Sequence, residues 1–137
     1  SSFSISDMSE VFSKDEANKA LQNGEVVFCA CGTGHPYFST DTGVVLRALE
    51  LTCKEILLAK AIDGVYDKDP KKFPDAKKYD TLSIEEVVEK RLQVIDLSAS
   101  ILCLENRLPM SVFSLEEEDG IFKALLGEHK GTRVTAD

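Results

Sequence analysis

Val26-Val27-Phe28-Cys29-Ala30-Cys31-Gly32-Thr33-Gly34-His35-Pro36-Tyr37-Phe38-Ser39-Thr40-Asp41-Thr42 reads as strand, glycine-bearing loop and helix start. The apolar run at 26–31 lacks polar alternation, as a strand buried on both faces of a parallel sheet would. Gly32 and Gly34 let the backbone turn sharply and approach a ligand closely, while Ser39, Thr40 and Asp41 place hydroxyls and a carboxylate where a helix begins. N–H groups at such a start attract anions, so a phosphate-handling loop is the first functional expectation.

Outward from this stretch the chain alternates strands with helices. Ser13-Lys14-Asp15-Glu16 has capping-box spacing and opens a helix over about 14–22, which Gly24 ends. Val45, Leu46 and Leu49 recur at helical spacing over 42–52, and Glu55-Ile56-Leu57-Leu58-Ala59 follows as a second buried strand. These pieces predict a βαβ unit with a right-handed crossover. Ser83-Ile84-Glu85-Glu86 is another capping box, opening a helix through about Glu89 with Ile84, Val87 and Val88 inward. Asp96 is placed to cap a helix that Leu108-Pro109 stops, and Met110-Ser111-Val112-Phe113 reads as a third strand. A last helix starts at Asp119-Gly120, with Ile121, Ala124 and Leu125 inward, and Gly131–Thr135 supplies a short terminal strand. The fold class is α/β.

Composition sets the outer bounds. The 137 residues suffice for one core; they carry a formal charge of −8, and 43% are hydrophobic and 29% charged. The negative balance argues against non-specific nucleic-acid binding, which needs clustered Lys and Arg. No apolar run approaches the roughly 18 residues of a membrane span, and residues 1–7 lack a signal peptide's pattern. Cys29, Cys31, Cys53 and Cys103 sit within apolar runs and are expected to be buried, reduced thiols of a cytoplasmic protein.

The segment from Ile62 to Tyr79 is long, charged and interrupted by two prolines, which marks a functional or flexible loop; Lys71, Lys72, Lys77 and Lys78 are each read as solvated. In an open parallel sheet, ligands bind beyond the carboxyl ends of the strands, so the loops at 32–41 and 60–70 are expected at one edge. The first offers Thr33, Ser39 and Thr40; the second offers Tyr66 to stack on a flat ring and Asp69 to accept hydrogen bonds from a base or sugar. Neither His35 nor His129 supports a nucleophilic triad, and the run Glu116–Asp119 is expected to be a solvated helix start, with no metal site.

The segment Gly32 to Thr42 resembles the Gly-Thr-Gly-Asn-Pro-aromatic-Phe-Ser/Thr-Thr-Asp-Thr signature of the bacterial uridylate (UMP) kinases, within the amino acid kinase family. Asp63-Gly64-Val65-Tyr66-Asp67-Lys68-Asp69-Pro70, Val94-Ile95-Asp96 with Ser98-Ala99-Ser100, and Gly127-Glu128 before Gly131-Thr132 agree in order. The resemblance covers nearly all of the chain after about residue 14. It implies a three-layer αβα sandwich with a mainly parallel sheet, and transfer of phosphate from ATP to UMP. ATP with Mg²⁺ is the co-substrate, with no tightly bound cofactor.

Carried over by position, the UMP-binding loop runs over 32–41, with Thr33, Gly34, His35, Pro36, Tyr37, Phe38, Ser39 and Thr40 as binding residues. Asp41 and Asp96 fall on acidic catalytic positions, and Lys60, Tyr66 and Asp69 on ATP-contacting positions in a lobe of about 55–137. Lys60 stands where the family often has threonine, Leu58 where it has a nearby lysine, and His35 where it has asparagine. Residues 1–25 resemble neither the family's Lys-x-Ser-Gly phosphate loop nor its later glycine-rich segment. The resemblance therefore implies a single C-terminal part of the domain, 1–137, with little turnover alone. Its expected partner is further copies, as in the family's hexamer, or the missing N-terminal part. The other readings are a non-catalytic nucleotide-binding or regulatory module and a different small-molecule kinase of the family.

Overall fold

The computed structural model describes residues 1–136, which form two compact units, Ser1–Cys53 and a second that begins at Lys54. The first unit holds α1 (Lys14–Gln22) and α2 (Thr40–Glu50). Ser13 caps α1, its hydroxyl accepting from the Glu16 N–H at 3.4 Å, and Gly24 takes the left-handed φ of +81° just past the helix end. Only Ala17 of α1 is buried. Helix α2 buries Thr42, Gly43, Val45 and Ala48, and its Arg47 pairs with Glu50 while lying 3.8 Å over the Phe12 ring.

Residues 26–31 do not form the expected strand, and the predicted βαβ unit is not formed with them. A strand exists only through its ladder, and no ladder partner for this segment lies among the described residues. Val26 and Phe28 are instead exposed, as are Cys29 and Cys31. Cys53 is exposed as well, so burial of the thiols holds for Cys103 alone, which burial pushes up to about 11 and keeps protonated.

The second unit is built on four strands, β1 (Ile56–Lys60), β2 (Thr81–Ser83), β3 (Met110–Ser114) and β4 (Thr132–Thr135), in the order β1-β3-β4-β2. The pairings β1–β3 and β2–β4 are parallel, and β3–β4 is antiparallel, so the sheet is mixed with parallel pairing prevailing. One rung, Ile56–Met110–Val134–Leu82, crosses all four strands with every side chain buried. The three-residue strand β2, which has no signal of its own in the sequence, is held by its register on Arg133–Thr135.

Helices α3 (Ile84–Glu89), α4 (Leu97–Glu105) and α5 (Gly120–Leu125) flank this sheet. The capping box at Ser83 is complete: its hydroxyl accepts from the Glu86 N–H and the Glu86 carboxylate accepts from the Ser83 N–H. Ile84 and Val87 are buried, whereas Val88 is half-buried. Helix α4 turns Ala99, Ser100 and Cys103 inward. Helix α5 reverses the expectation from its pattern: Ala124 is buried, but Ile121 and Leu125 are 56% and 69% exposed. Its contact with the sheet runs through Gly120, where an added Cβ would lie 2.9 Å from the Ser114 carbonyl oxygen. So close an approach of helix to strand needs small residues, and it turns the large ones outward.

Candidate functional site

The loop at 32–41 belongs to the first unit. Its path is left-handed at Cys31 (φ +69°), Gly32 (+54°), Gly34 (+73°) and Tyr37 (+69°). Left-handed backbone at the non-glycine residues Cys31 and Tyr37 costs energy, as it also does at Ser6, Thr52, Arg91, Arg107 and Asp119. A turn closes from the Gly34 N–H to the Cys31 carbonyl at 3.0 Å, and Thr33 Oγ1 accepts from the His35 N–H at 3.1 Å. Ser39 caps α2, accepting from the Thr42 N–H at 3.2 Å, which fixes where the helix starts and sets Thr40 and Asp41 in its first turn. Gly43 lets that turn rest on the loop, since a Cβ there would meet Gly32 Cα at 2.9 Å. Asp41 is half-buried; His35, Pro36, Tyr37, Phe38, Ser39 and Thr40 are exposed.

The second unit carries Lys60, Tyr66, Asp69 and Asp96. Lys60 is the last residue of β1, and its carbonyl accepts from the Leu115 N–H at 2.8 Å. The segment after it is an ordered excursion closed as a narrow ribbon. Tyr66 bridges to Lys78, the Asp67 N–H donates to the Lys77 carbonyl at 3.0 Å, and the Tyr79 N–H to the Val65 carbonyl at 2.9 Å. Asp69 opens the tip turn, its carboxylate accepting from the Lys71 N–H at 3.0 Å and pairing with Lys72 at 3.6 Å. Asp96 caps α4: its Oδ1 accepts from the Ala99 N–H at 3.1 Å, and its carbonyl from the Ser100 hydroxyl at 3.1 Å.

Tyr66 is half-buried, and its hydroxyl donates to Asp63 Oδ1 at 2.7 Å. Lys78, read as solvated, is half-buried and tied at both sides: it pairs with Asp63 at 3.0 Å and donates to the Lys130 carbonyl. Burial pushes the Asp63 carboxyl up, but the hydrogen bonds from Tyr66 and Lys78 and the Lys78 charge outweigh it, so Asp63 titrates below its ordinary value. The bond to Asp63, with some desolvation, holds the Tyr66 hydroxyl above its ordinary value. A folded-state carboxyl value below the unfolded one stabilises above the unfolded value and loses that contribution as pH falls through the folded value. Carboxyl-detected titration is expected to show Asp63 moving up toward the ordinary range in Lys78→Met and in Tyr66→Phe, so that in both the local acid transition is weakened. An Asp63 titration unchanged in both variants would contradict this network.

The expectation that both loops leave one sheet edge rested on a strand at 26–31, and its premise is not met. Two residues that the sequence reading quoted but gave no role pack against the excursion and the sheet. Thr132, buried between the ends of the excursion, is one; its motif neighbour Gly131, packed on Val112, is the other. The sequence signal for both is the Gly131-Thr132 pair; the partners of Thr132 lie 67 and 53 residues away, at Val65 and Tyr79. Among the described residues no group of three or more His, Cys, Asp and Glu side chains is placed to hold a metal ion, and no helix is long and apolar enough to cross a membrane.

The first unit carries a glycine-bearing loop running into a capped helix, and the second a mixed sheet flanked by helices with a long ordered excursion after its first strand, the element types of an α/β protein. The model of the amino acid kinase family matches residues 3–114, and the chain belongs to that family. Over 134 residues it is 43% identical to a uridylate kinase of Psychrobacter sp. (strain PRwf-1), a match covering 98% of this chain and 56% of that one. The UMP kinase of Bacillus anthracis superposes with a TM-score of 0.93 at 36% identity, covering 99% of this chain and 56% of that one. That of Ureaplasma parvum gives 0.90 at 32%, covering 98% and 57%. The chain thus spans somewhat more than half the length of these relatives.

Proposed function

We propose that this chain is the nucleotide-binding, C-terminal part of a uridylate kinase, which transfers the terminal phosphoryl group of MgATP to UMP to give UDP. The observation that carries the reading is the loop at 32–41. Left-handed glycines and a left-handed Tyr37 lead into the Ser39-capped start of α2, an arrangement suited to a nucleoside monophosphate. The relatives' printed names, uridylate kinase and UMP kinase, support the same acceptor.

In this reading Thr33, Gly34, His35, Pro36, Tyr37, Phe38, Ser39 and Thr40 hold UMP, with the dipole of α2 favouring its phosphate. Tyr66 and Asp69 hold the adenosine portion of ATP beside Lys60. Asp41 and Asp96, each fixed in the first turn or cap of a helix, orient the reacting groups and their magnesium, which arrives on the nucleotide. Phosphoryl transfer is accelerated mainly by positioning and by neutralising charge that spreads over the equatorial oxygens. The sequence holds no Lys-x-Ser-Gly-type loop to supply the opposing cation. Nucleotide binding with little turnover is therefore expected of the 137 residues alone, in a cytoplasmic enzyme that assembles as a hexamer or with its N-terminal part.

A coupled assay for UDP together with calorimetric titration of UMP and MgATP tests both halves of the proposal. Binding of each nucleotide with UDP formation at least roughly a hundredfold below that of an intact kinase is the expected result. Turnover equal to an intact kinase would sink the dependence on a missing part. Failure to bind UMP would sink the acceptor assignment.

A further inference from the structure

The excursion that carries Tyr66 and Asp69 is tied down by two side chains to which the reading above gives no role. Thr132, at the start of β4 and fully buried, accepts through Oγ1 from the Val65 N–H at 2.8 Å and donates to the Tyr79 carbonyl at 2.5 Å. Val65 and Tyr79 are the two ends of the ribbon, so one hydroxyl joins both to the sheet. Lys78 makes the second tie, from Asp63 Oδ2 at 3.0 Å to the Lys130 carbonyl at 3.0 Å, across 52 residues of chain. Gly64 sits between the two: a Cβ there would lie 2.6 Å from Thr132 Oγ1 and 2.8 Å from Lys78 Cδ.

We propose that Thr132 and Lys78 are positioning residues for the donor nucleotide, through which strand β4 and the turn before it hold the 65–79 ribbon, and with it Tyr66 and Asp69, in the register that ATP requires. This rests on the assignment of that ribbon to ATP. Both residues act through the ribbon. Thr132→Val keeps the shape of the side chain but leaves the buried Val65 N–H, and the partly buried Tyr79 carbonyl, without the hydroxyl. Thr132→Ser keeps the hydroxyl, and Lys78→Met keeps the apolar stem while removing the ammonium.

The test is titration of MgATP, and separately of UMP, into the parent chain and these three variants, with hydrogen exchange read at the Val65 amide. Thr132→Val is expected to weaken ATP roughly tenfold and speed Val65 exchange, with UMP affinity held within about twofold. Thr132→Ser restores ATP binding, and Lys78→Met weakens it about fivefold. Parent-like ATP affinity in Thr132→Val despite faster exchange would overturn the role, as would equal losses of ATP and UMP. Should Thr132→Val fail to fold, parent-like ATP affinity in Lys78→Met overturns the role by itself. A parent chain that takes no ATP while Val65 stays protected overturns the donor assignment, and the positioning role with it, although the clamp exists.

Discussion

Gly131→Ala is expected to destabilise the second unit by more than about 3 kcal/mol, a large fraction of the roughly 5–15 kcal/mol that holds a domain folded. A Cβ at position 131 would lie 1.9 Å from the Val112 carbonyl oxygen and 2.9 Å from Phe113 Cα, and both neighbours are backbone. No side-chain rotation relieves such a clash; the strand pair itself has to part. Residue 131 leads directly into β4, which joins β3 on one side to β2 on the other, so the whole sheet order depends on that approach. Gly127→Ala is the matched control. Gly127 has a φ of +74° with nothing within 4 Å of an added Cβ, so only the left-handed conformation is penalised, at about 1 kcal/mol. Denaturant unfolding of the three chains, with a Gly131→Ala loss no larger than that of Gly127→Ala, would contradict the packing described for β4.

Gly34→Ala is expected to weaken UMP roughly a hundredfold while leaving ATP binding unchanged. Two penalties coincide there. The φ of +73° costs an L-residue about 1–2 kcal/mol, and the new Cβ would meet Ser2 Cβ at 2.9 Å and the Ser2 carbonyl oxygen at 3.2 Å. The loop can escape both only by leaving its turn, which breaks the 3.0 Å bond from the Gly34 N–H to Cys31 and moves Thr33 and His35. Gly24→Ala, with the same sign of φ but open space and a place outside the loop, should not alter UMP affinity. Calorimetry of the two variants separates a loop effect from a general cost of losing a left-handed glycine. Equal UMP affinity in both would contradict the loop's role.

What the sequence makes legible here is local. Ser13, Ser83 and Asp96 cap the helices their spacing announces, because a cap is decided within four residues, and Ser39 caps a helix that runs Thr40–Glu50, two residues ahead of the 42–52 read from its apolar spacing. Strands β1, β3 and β4 were legible as short apolar or β-branched runs. The run at 26–31 was read in the same way and is no strand, since a ladder needs a partner that local composition does not specify. Strand β2 escaped notice for the converse reason: three residues are drawn into the sheet by β4. In α5 the apolar pattern pointed Ile121 and Leu125 inward, but the close approach at Gly120 turned them out. For the candidate site, the family signature is what proposes the loops, whereas the hydrogen bonds of Thr132 and Lys78 join residues 67 and 52 positions apart along the chain, which no local pattern announces.

The acceptor assignment is tested most directly by adding UMP to isotope-labelled chain and following every backbone amide. Saturable shifts concentrated at Thr33–Thr42, absent with AMP at the same concentration and lost in Gly34→Ala, are the predicted result. No shifts with UMP, or shifts centred on 60–70 with 33–42 unmoved, would contradict it.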